Sequence, residues 1–168
     1  SMRPYFNNQK YAWTIDRAFE EVITQCQLNK RKGQNFESWI TDEMKDAYIK
    51  LHEAGFAHSV EVWENKELVG GLYGVCLGKV FFGESMFSKQ NNASKFGFIS
   101  FVKELERRNF ALIDCQQKTK YLVSLGARGI PRVDFQKTLR ENVKSLDPTP
   151  RLKEWPLDQK DNVHLPDF

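Results

Sequence analysis

Between His58 and Phe87 the chain stops repeating every three or four residues and repeats every two, a change that constrains its fold more than any other feature. HSVEVW alternates, ENKE offers a turn, LVGGLYGVC alternates again, LG offers a second turn, and KVFFGESMF follows. Side chains of a strand point to opposite faces in turn, so short alternating runs joined by polar turns predict a three-stranded antiparallel meander. Gly70, Gly71, Gly74 and Gly83 weaken strand propensity. Inside a strand such residues mark bulges, or places where a ligand or another backbone comes close.

Helical spacing surrounds this core. Residues 14–26 place Ala18, Phe19, Val22, Ile23 and Cys26 on one face and predict a first helix. NKRKGQNFES breaks the pattern and sets Lys30, Arg31 and Lys32 in a basic loop. The period returns through Ile40, Met44, Tyr48, Leu51 and Ala54, with Thr41 as N-cap, Gly55 as the stop and Trp39 just outside the start. NNASKFGFISFVKELERRNF predicts a third helix that buries Phe98, Phe101, Val102 and Leu105. ALIDCQ reads as a fourth, central strand ending in an acid and an amide. KTKYLVSLGA reads as a short helix closed at Gly126, and VDFQKTLRENVKSL as another. The order predicts an α+β fold with helices packed on a mostly antiparallel sheet. One domain over residues 1–146 and an extended, proline-containing tail over 147–168 are expected.

Composition narrows the function. With 168 residues and 40% hydrophobic content the chain has enough apolar surface for one core, and a net charge of +3 means that a polyanion would have to meet a local patch. Cys26, Cys76 and Cys115 are odd in number and unrelated in spacing, which fits reduced thiols. His52, His58 and His164 form no metal-ligand pattern with them. No apolar run approaches the roughly 18 residues that span a bilayer, so a soluble, cytoplasmic protein is expected. The opening Ser1-Met2 is odd for a native start and suggests an added residue or a piece of something longer.

Two polar pairs interrupt apolar strands: Glu84-Ser85 after VFFG, and Asp114 with Gln116 after ALI. A buried acid is costly unless it is paired, so an acid at a strand end is either solvated or deliberately placed. Gln116, two residues after Asp114, is expected on the same strand face. Cys115 invites a nucleophile reading, but no general base stands nearby in sequence, and a buried strand thiol fits better.

SWITDEMKDAYIKLHEAGFAHSVEVW, LVGGLYGV, FFGESMFS, NNASK, LIDCQ and SLGARGIPR occur in this order, and from about Trp13 to Arg132 the chain resembles the leucyl/phenylalanyl-tRNA–protein transferases. The resemblance implies an acetyltransferase-like fold. It also implies transfer of Leu, Phe or, less readily, Met from aminoacyl-tRNA to acceptor proteins whose N-terminus is Arg or Lys, which marks them for bacterial N-end-rule degradation. No metal or cofactor is implied, because the ester is already activated. Asp114 would orient and deprotonate the attacking amine with Gln116 beside it, and Glu84 would hold polar parts of a substrate. The apolar pocket would use Leu72, Phe81, Gly83, Met86, Phe98, Leu105 and Ile113, each of which read alone is ordinary core. Trp39 and Tyr48 match positions near the 3′-terminal adenosine, and Lys30, Arg31, Lys32, Lys95, Arg107 and Arg108 are candidates for acceptor-stem phosphates.

Three departures accompany the resemblance. The family's smaller N-terminal domain, with its Trp-Trp-Ser-Pro type stretch, is absent from this chain; Tyr121 stands where many members have His; and QLNKRKGQNFE lengthens the loop before Trp39. Two other functions fit a similar fold. An acyl-coenzyme A N-acyltransferase would need a Gly-rich turn for pyrophosphate, and SKQNNASK contains no glycine. A non-catalytic tRNA-binding module would bind tRNA whether or not it is aminoacylated.

Overall fold

The computed structural model describes residues 10–28 and 39–144. The basic loop with Lys30, Arg31 and Lys32 and the tail from Asp147 lie outside them. In chain order the elements are β1 (Ala12–Ile15), α1 (Phe19–Leu28), α2 (Asp42–Glu53), β2 (Ala57–Glu64), β3 (Glu67–Leu77), β4 (Val80–Ser88), α3 (Ala93–Arg107), β5 (Leu112–Asp114), α4 (Lys120–Ser124) and α5 (Arg132–Asn142). The strands form one sheet in the order β1-β2-β3-β4-β5. Every neighbouring pair is antiparallel except β4 and β5. The expected α+β fold with a mostly antiparallel sheet is therefore present.

Two expectations need correction. The first helix does not reach back to Thr14. Ala12–Ile15 instead pairs with β2, and the chain breaks at Asp16, whose φ of 57° ends the strand before α1 begins. A four-residue edge strand is too short to show its own period. The run ALIDCQ forms a strand, but it is not central: β5 is an edge strand, and β3 holds the middle of the sheet. A three-residue strand contributes few ladder bonds, and its half-buried residues fit an edge.

Each face of the sheet carries its own layer. On one face α3 packs Phe98, Phe101 and Leu105 onto Val60, Val62, Leu72 and Phe81. On the other, α1 sets Phe19, Val22, Ile23 and Cys26 against Trp63, Tyr73 and Phe87. α2 closes that second layer from outside with Met44, Tyr48 and Ile49. Thr41 caps α2 as its sequence predicts, its hydroxyl accepting from the Met44 amide at 3.2 Å. Gly70 lets α3 start against β3, because a Cβ there would stand 2.8 Å from the Ala93 Cβ and 3.0 Å from the Ser94 nitrogen.

The ladder contains a defect that matters below. Tyr73 pairs with Ser85 and Gly74 with Gly83, so Glu84 is an extra residue with no partner on β3. Phe81 and Phe87 are six residues apart and would share a face in a regular strand. Instead Phe81 joins the α3 layer and Phe87 the α1 layer. The bulge at Glu84 reverses the two faces of β4 within one residue.

A buried polar network ties β1 and α1 to β2. The Glu61 carboxylate, completely buried, accepts from the Thr14 and Ser59 hydroxyls and from the Ala18 amide, while the Trp63 indole donates to Thr14 at 2.8 Å. Asp16 accepts from the Ser59 amide at 2.9 Å and bonds His58 Nδ1 at 2.8 Å. Burial pushes the Glu61 carboxyl above the usual glutamate range, against the pull of its hydrogen bonds. Its folded pKa is thus raised above the unfolded one. The stabilisation is full below the unfolded value of about 4.3 and is lost as pH rises through the folded value. Urea unfolding across pH 4–8 should show wild-type stability falling with pH through this group, and Glu61→Gln should flatten that slope. An unchanged slope in the variant would assign it elsewhere.

Candidate active site

The β4 bulge and the end of β5 build one cleft. Parallel pairing of the two strands stops at Phe82 with Asp114, while β4 runs on to Ser88 with β3 on one edge and no strand among the described residues on the other. The cavity beside this free edge measures about 1200 Å³. Leu72, Phe81, Met86, Phe98 and Ile113 form its apolar wall, and Glu84, Ser85 and Gln116 its polar one. Because the bulge swaps the faces of β4, the cavity touches both the α3 layer and the edge of the α1 layer.

Glu84 is approached from the α2 side. The Tyr48 phenol stands near it, and burial, followed by the Glu84 charge and polar contact with it, pushes that phenol up to about 12. The Tyr48 ring meets Tyr73 edge-on at 5.2 Å. Next to Glu84, burial raises the Cys26 thiol to about 12, against the opposing influence of the Ser85 hydroxyl.

After Asp114 the strand ends, and the expected shared face for Gln116 does not form. Gln116 adopts a left-handed φ of 60°, its amide donates to Asp114 Oδ1 at 2.8 Å, and its side chain returns to donate to the Gly83 carbonyl at 3.0 Å. One glutamine therefore joins the end of β5 to the start of the free β4 edge. Thr119 then caps α4 through the Leu122 amide at 3.1 Å.

Leu72, Phe81, Gly83, Met86, Phe98 and Ile113 line the cleft, as do Glu84, Gln116 and the half-exposed Trp39. Leu105 does not: it is completely buried in the α3 layer, two helical turns beyond Phe98. Asp114 stands behind Gln116 rather than on the wall, and Tyr48 is not on the wall either. Lys95 is half-buried on α3. Arg107 and Arg108 both bind the Glu104 carboxylate at the far end of α3. Burial opposes the charge of Glu104, but hydrogen bonds from the two arginines hold its carboxyl below the ordinary range. Neither arginine borders the cleft.

Sequence reading did not find Tyr73, Ser94 or Leu122 on the wall. Tyr121 is also there, its hydroxyl 3.5 Å from the Ser94 hydroxyl, and the contact joins α4 to the first turn of α3. The bulge itself was signalled in the sequence by Gly74 and Gly83, which flank it in the ladder. Among the described residues no three His, Cys, Asp or Glu side chains come together to hold a metal ion. No described helix is long and apolar enough to cross a membrane.

The chain matches the family model described as leucyl/phenylalanyl-tRNA protein transferase over residues 1–140. It is 55% identical over 141 residues to the leucyl/phenylalanyl-tRNA–protein transferase of Christiangramia forsetii, covering 83% of this chain and 66% of that protein. The protein of the same name from Stutzerimonas stutzeri is 50% identical over 139 residues, 83% of this chain and 61% of the relative. The one from Nitrosospira multiformis is 48% identical over 160 residues, 95% of this chain and 67% of the relative. The chain thus spans about two thirds or less of the relatives' length. Among solved structures, an aminoglycoside acetyltransferase from an uncultured soil metagenomic sample superposes with a TM-score of 0.53 at 13% identity, covering 74% of this chain and 93% of that one. At that identity the likeness concerns the fold alone, which is acetyltransferase-like.

Cys115 borders the cleft beside Asp114, and burial and then the Asp114 charge push its thiol above the usual cysteine range. At neutral pH it should react slowly with a disulfide reagent, as a poor nucleophile does. Asp114→Asn should speed that reaction, because removing the neighbouring negative charge eases the thiol's ionisation. Equal rates in the two proteins would mean that Asp114 does not act on the thiol.

Proposed function

The chain belongs to the leucyl/phenylalanyl-tRNA–protein transferase family, and on that premise we propose that it forms a peptide bond between the leucyl or phenylalanyl group of an aminoacyl-tRNA and the N-terminal amine of an acceptor protein. Methionyl-tRNA is a poorer donor. Acceptors begin with Arg or Lys, and the products enter N-end-rule degradation in a bacterial cytoplasm. The observation that carries this reading is the cleft itself: an apolar wall, the Glu84 carboxylate and Gln116, with Asp114 behind it, meet where β4 and β5 part.

The leucyl or phenylalanyl side chain occupies the wall of Leu72, Phe81, Met86, Phe98 and Ile113. Apolar burial, with flexible Met86 at its edge, lets one pocket accept branched, aromatic and unbranched groups. Half-exposed Trp39 at the mouth offers its indole to the terminal adenine by stacking. Lys95 is a candidate phosphate contact. Arg107 and Arg108 are poorer ones, because Glu104 already engages both.

The amine nitrogen attacks the ester carbonyl carbon, and the bond from that carbon to the ribose oxygen breaks. The proton lost by the amine ends on that oxygen. Gln116 meets the amine at the wall, while Asp114 behind it draws the proton away and orients the group. Neither step calls on a cofactor.

A transfer assay with labelled Leu-tRNA tests the reading. Peptides beginning with Arg or Lys should accept, and peptides beginning with Ala or acetyl-Arg should not; equal transfer to all four would sink it. Asp114→Asn should lower transfer by about 10²–10⁴ while folding stays near normal. Activity close to wild type in that variant would remove Asp114 from the chemistry. Met86→Ala should change the relative rates for Leu, Phe and Met, because each methylene in such a pocket is worth about 1–3 kcal/mol. Unaltered ratios would take Met86 out of the pocket.

A further inference from the structure

Two buried polar atoms have no hydrogen-bond partner among the described residues: His58 Nε2 and the Tyr73 hydroxyl. His58 sits inside the β1–β2 network, with its other nitrogen on Asp16. Tyr73 is different because it borders the cleft. It has no exposed surface, and on β3 it is the ladder partner of Ser85 on β4, the residue after the Glu84 bulge. Its ring is fixed edge-on between Tyr48 at 5.2 Å and Phe19 at 5.9 Å. A phenylalanine would fill the same space without burying an unpaired hydroxyl, and burying one lowers stability.

What stands beside that hydroxyl is informative. Burial first, then Cys26, Tyr48 and the Glu84 carboxylate, push the Tyr73 phenol far above its ordinary range, so it stays a protonated donor. The Glu84 charge acts on it, yet no hydrogen bond joins the two. Glu84 is also the one residue of β4 released from the ladder by the bulge. An acceptor outside the ladder and an unpaired donor thus border the same cleft.

We propose that Tyr73 is a positioning residue that acts through Glu84. When a substrate N–H cation enters the cleft and draws the carboxylate toward it, the Tyr73 hydroxyl donates to that carboxylate from behind and fixes it in the loaded position. The inference rests on the transferase reading. The cation is either the α-ammonium of the aminoacyl group or the basic side chain of the acceptor's first residue, since both present N–H donors to a carboxylate.

The test is Tyr73→Phe, made in the wild type and in Glu84→Ala. In the wild-type background the unfolding midpoint should stay level or rise, while KM for the cationic substrate rises about 10-fold, the loss of one charge-assisted hydrogen bond. In Glu84→Ala the same change should have no further effect. Two pairs of substrates identify the cation: leucyl-tRNA against its deamino analogue, and a peptide beginning with Arg against one beginning with neutral citrulline. The pair whose discrimination collapses in Tyr73→Phe names the source. Wild-type kinetics in Tyr73→Phe, a lowered midpoint, or an equal loss in the Glu84→Ala background would each overturn the inference and leave the transferase reading standing. A wild-type chain that transfers to no peptide sinks that reading, and this inference with it.

Discussion

One extra residue in one strand organises the cleft. With Glu84 unpaired between Gly83 and Ser85, β4 exchanges its faces partway along. Phe81 can then pack against Phe101 under α3 at a ring separation of 4.8 Å, while Phe87 packs under α1. A regular strand would send one of these phenylalanines into the wrong layer. The same residue that corrects the packing is a carboxylate, and the bulge turns it to the cleft rather than to a ladder position. Core packing and site geometry are therefore one constraint, and deleting Glu84 would disturb both.

The second constraint is the early end of β5. Three residues of parallel pairing hold Asp114 next to Phe82, and then the chain leaves the sheet. Had β5 continued, its backbone would have filled the space that is now the cleft. Gln116 stabilises the parting: its left-handed backbone turns the chain away, while its amide group occupies the Gly83 carbonyl that β5 leaves uncovered. A glutamine can do this because its side chain carries its own N–H donors.

Four acids in this small fold meet four environments. Glu61 is sealed inside and sustained by three neutral donors, Glu104 is neutralised by two arginines, Asp114 accepts from a turn amide, and Glu84 stands on the cleft wall near the Tyr48 phenol. The first two are committed to the fold. The last two keep acceptor capacity at the cleft, Glu84 on its wall and Asp114 just behind Gln116, which separates structural from functional carboxylates better than burial does.

The sequence by itself determined the meander, four of the five helices' inner faces or caps, the acids at the strand ends and, through its ordered motifs, the family. Alternation and helical period are local properties, and every residue of HSVEVW or FGFISFV carries them regardless of what packs beyond. The apolar wall was legible for the same reason, since Leu72, Phe81, Met86, Phe98 and Ile113 belong to periodic elements. Only the tertiary structure decided that Ala12–Ile15 is an edge strand, that β5 lies at the sheet's margin, that Leu105 falls behind the wall, and that Tyr73 comes up beside Glu84 with an unpaired hydroxyl. Strands this short contain less than the few residues a period needs, and their place is set by partners far away in sequence. Whether Glu84 would be solvated or placed depended on the register of β3 against β4, a relation between two strands that neither strand's residues state alone.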